Sequence, residues 1–363
     1  MRIGIIGLPN SGKTTLFNAL TGGQAPTAAY ASSAFQVNTA VVPVPDARID
    51  EMVAMYNPKK ITHARIEYAD IAGLGGGDKK ERNVTIGGEL MNAISNNDAL
   101  IHVVRVFGDS NIPHPLESVN SQRDITILDE ELTFSDLSKI ENRLAKLEIT
   151  LKKGKTIPTY QDDQHEFELL TRLHPHVEQG HPMRDFDMTE DEVRRLRGFQ
   201  FLSAKPMLIV LNLGDDGVEP DLSNLIDNRC PRLSVRARLE MDIAQLDNDD
   251  DRTMFMEEYN VTELSTSRII RQSYDLLQRM VFFTVGEDEV RAWEVARTAT
   301  ALECAGAIHS DLARGFIRAE VVACSDLLAA GSYSAARSVG KVRLEGKTYQ
   351  AQDGDIMQIR FNI

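Results

Sequence analysis

Gly7-Leu8-Pro9-Asn10-Ser11-Gly12-Lys13-Thr14 follows the apolar run Ile3 to Ile6 and leads into Thr15-Leu16-Phe17-Asn18-Ala19-Leu20, and this stretch decides the fold. It has the order of a strand, a phosphate-binding turn and a helix. Gly7 and Gly12 can take backbone angles closed to other residues. The N–H groups from Asn10 through Ser11, Gly12, Lys13, Thr14 and Thr15 can therefore point at phosphate oxygens at a helix N-terminus. Lys13 is placed to reach the β- and γ-phosphates, and the Thr14 hydroxyl to bind Mg²⁺.

At 363 residues the chain exceeds one typical core, and 42% hydrophobic content is ample for two or three domains. The first apolar run is only a strand long and ends at Gly7, and no long apolar span follows, so a cytoplasmic protein with no membrane partner is expected. Cys230, Cys304 and Cys324 are too widely spaced for a disulfide framework or a zinc site. A net charge of −14 argues against tight binding of free DNA, which needs an excess of Lys and Arg.

Working outward from the phosphate turn, Gly22 to Val37 reads as an aperiodic loop beside the phosphates, where a nucleotide switch keeps its ordering segment. Strands are predicted over Thr39 to Val44 and Ala64 to Ala69, with a helix from Asp46 to Tyr56 between them. A further helix is predicted from Gly87 to Asn97, and Ala99 to Phe107 is apolar enough for a parallel strand covered on both faces. From Ile125 the pattern changes. Leu137, Ile140, Leu144, Leu147 and Leu151 alternate spacings of three and four, which is a coiled-coil seam. A break from Lys152 to Asp163 precedes a second helical pattern through Phe167, Leu170 and His174. Thr189 and Glu192 then form a capping box for a third helix. Pro206 to Leu211 returns to a buried strand, so the helical segment is an insertion in an α/β domain. Arg232 to Val235 reads as a strand, Asp247 to Asp251 as a solvated acidic face, and Ser265 to Arg279 as a helix. Strands at 281–285, 316–322 and 355–361 around one helical stretch make a small α+β module. The expected division is 1–124 with 202–280 for the nucleotide domain, 125–201 for the helical hairpin and 281–363 for the C-terminal module.

The chemistry gathers at strand ends. Asp70-Ile71-Ala72-Gly73 has the D-x-x-G form in which Asp70 holds Mg²⁺ through water and the Gly73 amide senses the γ-phosphate. Leu74 follows, where Ras-like switches carry a water-orienting Gln; a leucine cannot hydrogen-bond a water. Asn212-Leu213-Gly214-Asp215 stands where guanine readers have N-K-x-D. The Asp215 carboxylate can accept from both guanine N–H donors, while Leu213 removes the lysine stem that stacks on the base. His114, in the loop after Val103-Val104-Arg105, is a candidate for touching the γ-phosphate or its water, or is a loop histidine without a role. His102 reads as a core residue with its hydrogen bonds satisfied.

The phosphate turn G-L-P-N-S-G-K-T-T-L-F-N-A-L, the run V-P-V-P-D-A-R-I-D from Val42 to Asp50, and D-I-A-G-L together resemble the YchF branch of Obg-related GTPases. The same holds for His102 to Arg105, Val290 to Trp293, Gly315 to Ala319 and the ending Asp353 to Asn362. The resemblance covers essentially the whole chain. It implies a Ras-like P-loop NTPase domain with an inserted helical coiled-coil domain and a C-terminal α+β TGS domain. It further implies hydrolysis of ATP more readily than GTP, association with the ribosome or ribosomal RNA, and a catalytic part for the loop histidine, here His114. Where the family has P-F-x-T-I, supplying a Thr to Mg²⁺, this chain reads Ser32-Ser33-Ala34-Phe35, leaving Ser33 or Thr39 as substitutes. At Asp215 the family usually has Glu.

The expectation is a slow Mg²⁺-dependent NTPase in which Lys13, Gly73 and His114 act on the phosphoryl group, with Asn10 as an entry point for K⁺. Two rivals remain: a nucleotide-gated ribosome- or RNA-binding module with vestigial hydrolysis, and a GTP-preferring switch. A small-substrate P-loop kinase is disfavoured by the D-x-x-G and Asn-started motifs.

Overall fold

Ile3, Ile5 and Ile6 are wholly buried, and the run Arg2–Ile6 becomes β1, an inner strand of a six-stranded sheet. The computed structural model describes residues 1–23, 25, 37–71, 88–154, 158–214, 217, 230–246 and 248–362. After β1 come α1 (Lys13–Thr21), β2 (Val37–Pro43), α2 (Ala47–Tyr56), β3 (Lys60–Thr62), β4 (Arg65–Ile71), α3 (Gly88–Ser95) and β5 (Ala99–Arg105). Then follow α4 (Ser121–Leu151), α5 (Tyr160–Glu178), α6 (Glu190–Leu196), β6 (Met207–Asn212), β7 (Arg232–Val235), α7 (Ala237–Ala244), α8 (Asp249–Glu258) and α9 (Ser265–Leu276). The first sheet has the order β2-β4-β1-β5-β6-β7, and β1 pairs parallel with both β4 and β5. All seven residues of β5 are buried, as a parallel strand covered on both faces requires. The order reverses about β1, and in such sheets the crevice beyond the strand C-termini at the reversal is the binding edge. Gly7 to Thr14 stands there.

The insertion is built on one long helix. α4 has 31 residues and spans about 46 Å. Its first turns supply Ile125, Leu128 and Leu132 to the core beneath the sheet, beside Ile6, Val104, Ile209 and Leu211. Further along, Ile140 and Leu147 join Leu169, Leu170, Leu173 and Val177 of α5, with Met183, Leu196 and Phe201 closing this second core. A boundary at residue 125 therefore falls inside a continuous helix. The observed capping box of Thr189 and Glu192 starts α6, as the pattern predicts. Asp136, wholly buried on α4, accepts hydrogen bonds from Leu202 N (2.9 Å), Ser203 N (2.7 Å) and Ser203 Oγ (2.7 Å). It thereby fixes the return of the insertion to the α/β core.

The contacts group the chain into two units, Met1–Ala40 with Glu67–Ile269, and Val41–Ile66 with Ile270–Ile363. In the second unit lie β8 (Arg279–Thr284), β9 (Glu289–Ala296), α10 (Ala301–Ile308), α11 (Ser310–Arg314), β10 (Phe316–Ala323), α12 (Cys324–Ala330), α13 (Tyr333–Ser338), β11 (Arg343–Glu345) and β12 (Asp355–Phe361). Its sheet runs β11-β10-β12-β8-β9-β3, so a strand from residues 60–62 completes a sheet otherwise formed after residue 278. The sequence reading placed 41–66 with the nucleotide domain, and Arg48 shows why these residues pack elsewhere. Its guanidinium binds Asp46, the N-cap of α2, and reaches Asp353 at 2.7 Å while lying over the Phe283 ring at 5.1 Å. These acidic partners raise the Arg48 pKa further. The module also holds more helix than the single stretch expected, because α10 to α13 each run for eight residues or fewer, too few turns to repeat a helical pattern along the sequence. The acidic run at 249–251 forms the first turn of α8, where carboxylates suit the helix dipole.

Cys230, Cys304 and Cys324 are buried and form no disulfide among the described residues, and among these no helix is long and apolar enough to cross a membrane. Replacing Asp136 by Ala leaves three buried donors without their acceptor and is expected to cost about 3 kcal/mol. Urea unfolding checks this: the midpoint should fall with the slope unchanged, and a loss below about 0.5 kcal/mol would refute the role given to Asp136.

Candidate functional site

α1 differs from its neighbours at the N-terminus. Asp46 and Asn120 cap α2 and α4 with their side chains, whereas α1 begins at Gly12 with no side-chain cap and no acid in its first turn. Its leading N–H groups and the positive end of its dipole are left to an anion. Gly7 (φ 149°) and Gly12 (φ 94°) hold the turn open on either side, with Asn10 also left-handed at φ 61°. A Cβ on Gly7 would stand 2.4 Å from the Val103 carbonyl oxygen of β5, and one on Gly12 would stand 2.1 Å from Asn212 Nδ2. Both glycines are required by space as well as by angle.

Lys13 is 8% exposed and donates from Nζ to the carbonyl oxygens of Gly7 (3.0 Å) and Leu8 (2.9 Å). Burial pulls its pKa down to about 8, against the opposing pull of Asp70. Thr14 donates from Oγ1 to Asp70 Oδ2 at 2.7 Å. Asp70 is buried at the end of β4, and burial raises its pKa although the Thr14 hydroxyl and the Lys13 charge favour the ionised form. Asn38 of β2 acts in the same direction without giving Oδ1 a hydrogen bond, and Oδ1 has no partner among the described residues. Thr14 and Asp70 thus bring together one hydroxyl and one partly unsatisfied carboxylate, hard oxygen donors that fit Mg²⁺ with phosphate and water completing its shell.

Asn212 is the joint of the site. Its Nδ2 donates to Ser11 O (2.9 Å), and its Oδ1 accepts from Ala237 N (3.2 Å) at the start of α7. Ser11 is 2% exposed, and Thr15 is half-buried on α1. Leu213 lies 8% exposed in the core cluster with Leu211 and Cys230, so its side chain is packed beneath the sheet end. Thr39 is exposed on β2. Gly73, Leu74, Ser33, Ala34 and Asp215 lie outside the described residues.

His114 is brought near the turn by its backbone, since Asn10 Nδ2 donates to Pro113 O at 2.9 Å. Its ring is engaged at both nitrogens: Nε2 meets Asp124 Oδ2 at 3.0 Å, and Nδ1 accepts from Leu116 N at 3.1 Å. His102 corrects the sequence reading. It is buried in β5 as expected, but neither ring nitrogen has a hydrogen-bond partner among the described residues, and burial drives its pKa down to about 3. Two residues without an assigned role support the site. Arg105, 3% exposed at the end of β5, donates to Phe107 O (3.1 Å) and Ile112 O (3.0 Å), shaping the loop that carries His114. Asp124 holds the histidine. An arginine closing an apolar strand and an acid in a first helical turn were the available signals.

Two family profiles match, the 50S ribosome-binding GTPase over residues 2–147 and the YchF GTPase C-terminal domain, described as a protein of unknown function (DUF933), over 279–362. The ribosome-binding ATPase YchF of Bacillus subtilis (strain 168) is 39% identical over 370 residues, covering 99% of each chain. The chain belongs to the YchF family. The ribosome-binding ATPase YchF of Pasteurella multocida (strain Pm70) is 36% identical over 368 residues, covering 100% of this chain and 99% of its own. The solved YchF GTPase of Schizosaccharomyces pombe superposes with a TM-score of 0.85 at 27% identity, covering 99% of this chain and 97% of that one. Membership in this YchF family, with a P-loop GTPase-type domain, makes the protein a nucleoside triphosphatase.

Two measurements test this geometry. Gly12→Ala should weaken nucleotide binding by at least about 100-fold, because the added Cβ displaces Asn212 from Ser11. Phosphate favours the Lys13 ammonium, which in the empty site loses its proton above about pH 8. Affinity should therefore be full below pH 8 and fall with rising pH by up to about tenfold per unit, a slope absent from Lys13→Ala. Titration of a fluorescent nucleotide at pH 7 and pH 9 reads both effects.

Proposed function

We propose that this protein is a slow Mg²⁺-dependent switch that hydrolyses ATP in preference to GTP, in the cytoplasm and in association with the ribosome. The observation that carries the reading is the joined set of Lys13, Thr14 and Asp70 under an uncapped helix N-terminus. Lys13 exchanges two carbonyl oxygens for β- and γ-phosphate oxygens, and the amides of the turn distribute the rest of the negative charge. Thr14 and Asp70 hold Mg²⁺, which when bound neutralises charge across the phosphates. The Gly73 amide is assigned to the γ-phosphate and His114 to the attacking water.

Base choice rests on Asn212 and Leu213. Asn212 is spent on Ser11 and Ala237, and Leu213 offers the base no lysine stem because it is packed in the core. The site thus lacks one grip that guanine readers use, which supports ATP. Ribosome association rests on the names of the relatives, two of which are called ribosome-binding ATPases.

A second reading, a nucleotide-gated binding module with weak hydrolysis, is favoured by the engagement of both His114 nitrogens. Turnover with and without ribosomes separates the two: stimulation supports the switch, and negligible turnover in both supports the module. ATP should bind tighter than GTP, and a tenfold preference for GTP, about 1.4 kcal/mol, would overturn the base assignment. Hydrolysis should vanish in Lys13→Ala; full activity there would refute the site.

A further inference from the structure

We infer that Asp124 is a positioning residue that latches His114 away from the nucleotide, so that hydrolysis requires this pair to part. The inference rests on the reading above that His114 takes part in hydrolysis.

The tautomer follows from the hydrogen bonds. Leu116 N–H donates to Nδ1 at 3.1 Å, so Nδ1 carries no proton; the ring proton is on Nε2 and is donated to Asp124 Oδ2 at 3.0 Å. Burial, with Arg123 and Arg105 nearby, outweighs Asp124 and lowers the histidine pKa, in keeping with a neutral ring. The side chains of His114 and Asp124 are only 4% and 3% exposed. A histidine paired with a carboxylate for catalysis keeps its second nitrogen open to the reacting water. Here the Leu116 amide takes that nitrogen. In this conformation the ring can neither accept a proton from water nor donate one to phosphate.

The carboxylate is itself clamped. Arg123 donates from Nε (3.0 Å) and Nη2 (2.8 Å) to Asp124 Oδ1, and also holds Ser118 Oγ and O at 3.1 and 2.7 Å. Asp124 stands in the first turn of α4, where the helix dipole favours its charge. The segment carrying His114 is thus tied at one end to the phosphate turn, through Asn10 and Pro113, and at the other to α4, through Asp124. Nucleotide at one tie and force on the helical insertion at the other act on the same histidine.

Asp124→Asn keeps the shape and removes the charge that holds the Nε2 proton. Its intrinsic turnover should rise three- to tenfold with KM unchanged, and the rise should disappear in a His114→Ala background. Arg123→Ala, which loosens the clamp and spares the carboxylate, should move turnover the same way by a smaller factor and serves if Asp124→Asn does not fold. In nitrogen NMR the empty wild-type protein should show the Nε2–H tautomer, replaced by an exposed, freely titrating ring once a non-hydrolysable ATP analogue and Mg²⁺ are added. Inactive His114→Ala together with Asp124→Asn no faster than wild type would overturn the latch and leave the histidine's role standing. Unchanged turnover in His114→Ala would instead remove the reading beneath it.

Discussion

The site depends on one missing side chain. Because Gly12 carries no Cβ, the Asn212 amide can enter the space beside it and bind Ser11 O, while its oxygen receives the first amide of α7. Three elements that are distant in sequence are thereby registered around a single carboxamide: the phosphate turn, the end of β6 and the start of α7. The turn cannot relax without moving β6. The Lys13 ammonium then has a fixed frame to lean on, and its burial beside Asp70 makes it sensitive to charge arriving in front of it.

The phosphate grip was legible in the sequence because its residues are contiguous or announced by a strand end. The glycine pair, the Lys-Thr step and the D-x-x-G strand each carry a local pattern, and β1, β5 and β6 appear as apolar runs of the kind that buried parallel strands need. His114 was legible as a candidate but its orientation was not. The bond to Asp124 joins residues ten apart across a turn, and neither has an apolar periodicity to give it away. His102 shows the opposite failure: its place in an apolar strand was plain, while the assumption that its nitrogens are bonded rested on a general rule that this position does not obey among the described residues. Strand β3 is three residues long and pairs with β9 across 229 positions of sequence, as in Lys60 with Glu289, so no window of sequence contains it.

The helical insertion shares its first helix with the nucleotide domain. Residues Ile125 to Leu132 of α4 belong to the core under β1, β5 and β6, and Ile140 to Leu147 belong to the hairpin. One uninterrupted helix therefore contributes to both cores, with no loop between its two contributions. Asp136, set between the two groups of apolar contacts, pins the returning chain to the same helix.

The pairing of β3 with β9 and the grip of Arg48 on Asp353 have a consequence for how the protein can be divided. The second sheet takes its edge strand from a segment that lies between β2 and β4 of the first, so the C-terminal module is not a bead at the end of a string. A chain cut before residue 279 would keep β3 and lose β9, the strand it pairs with; the severed piece would in turn expose the β9 edge that β3 covers. Exchange of this module between relatives therefore requires three junctions in register, after residues 40, 66 and 269, the first two of them within the sequence span of the nucleotide domain.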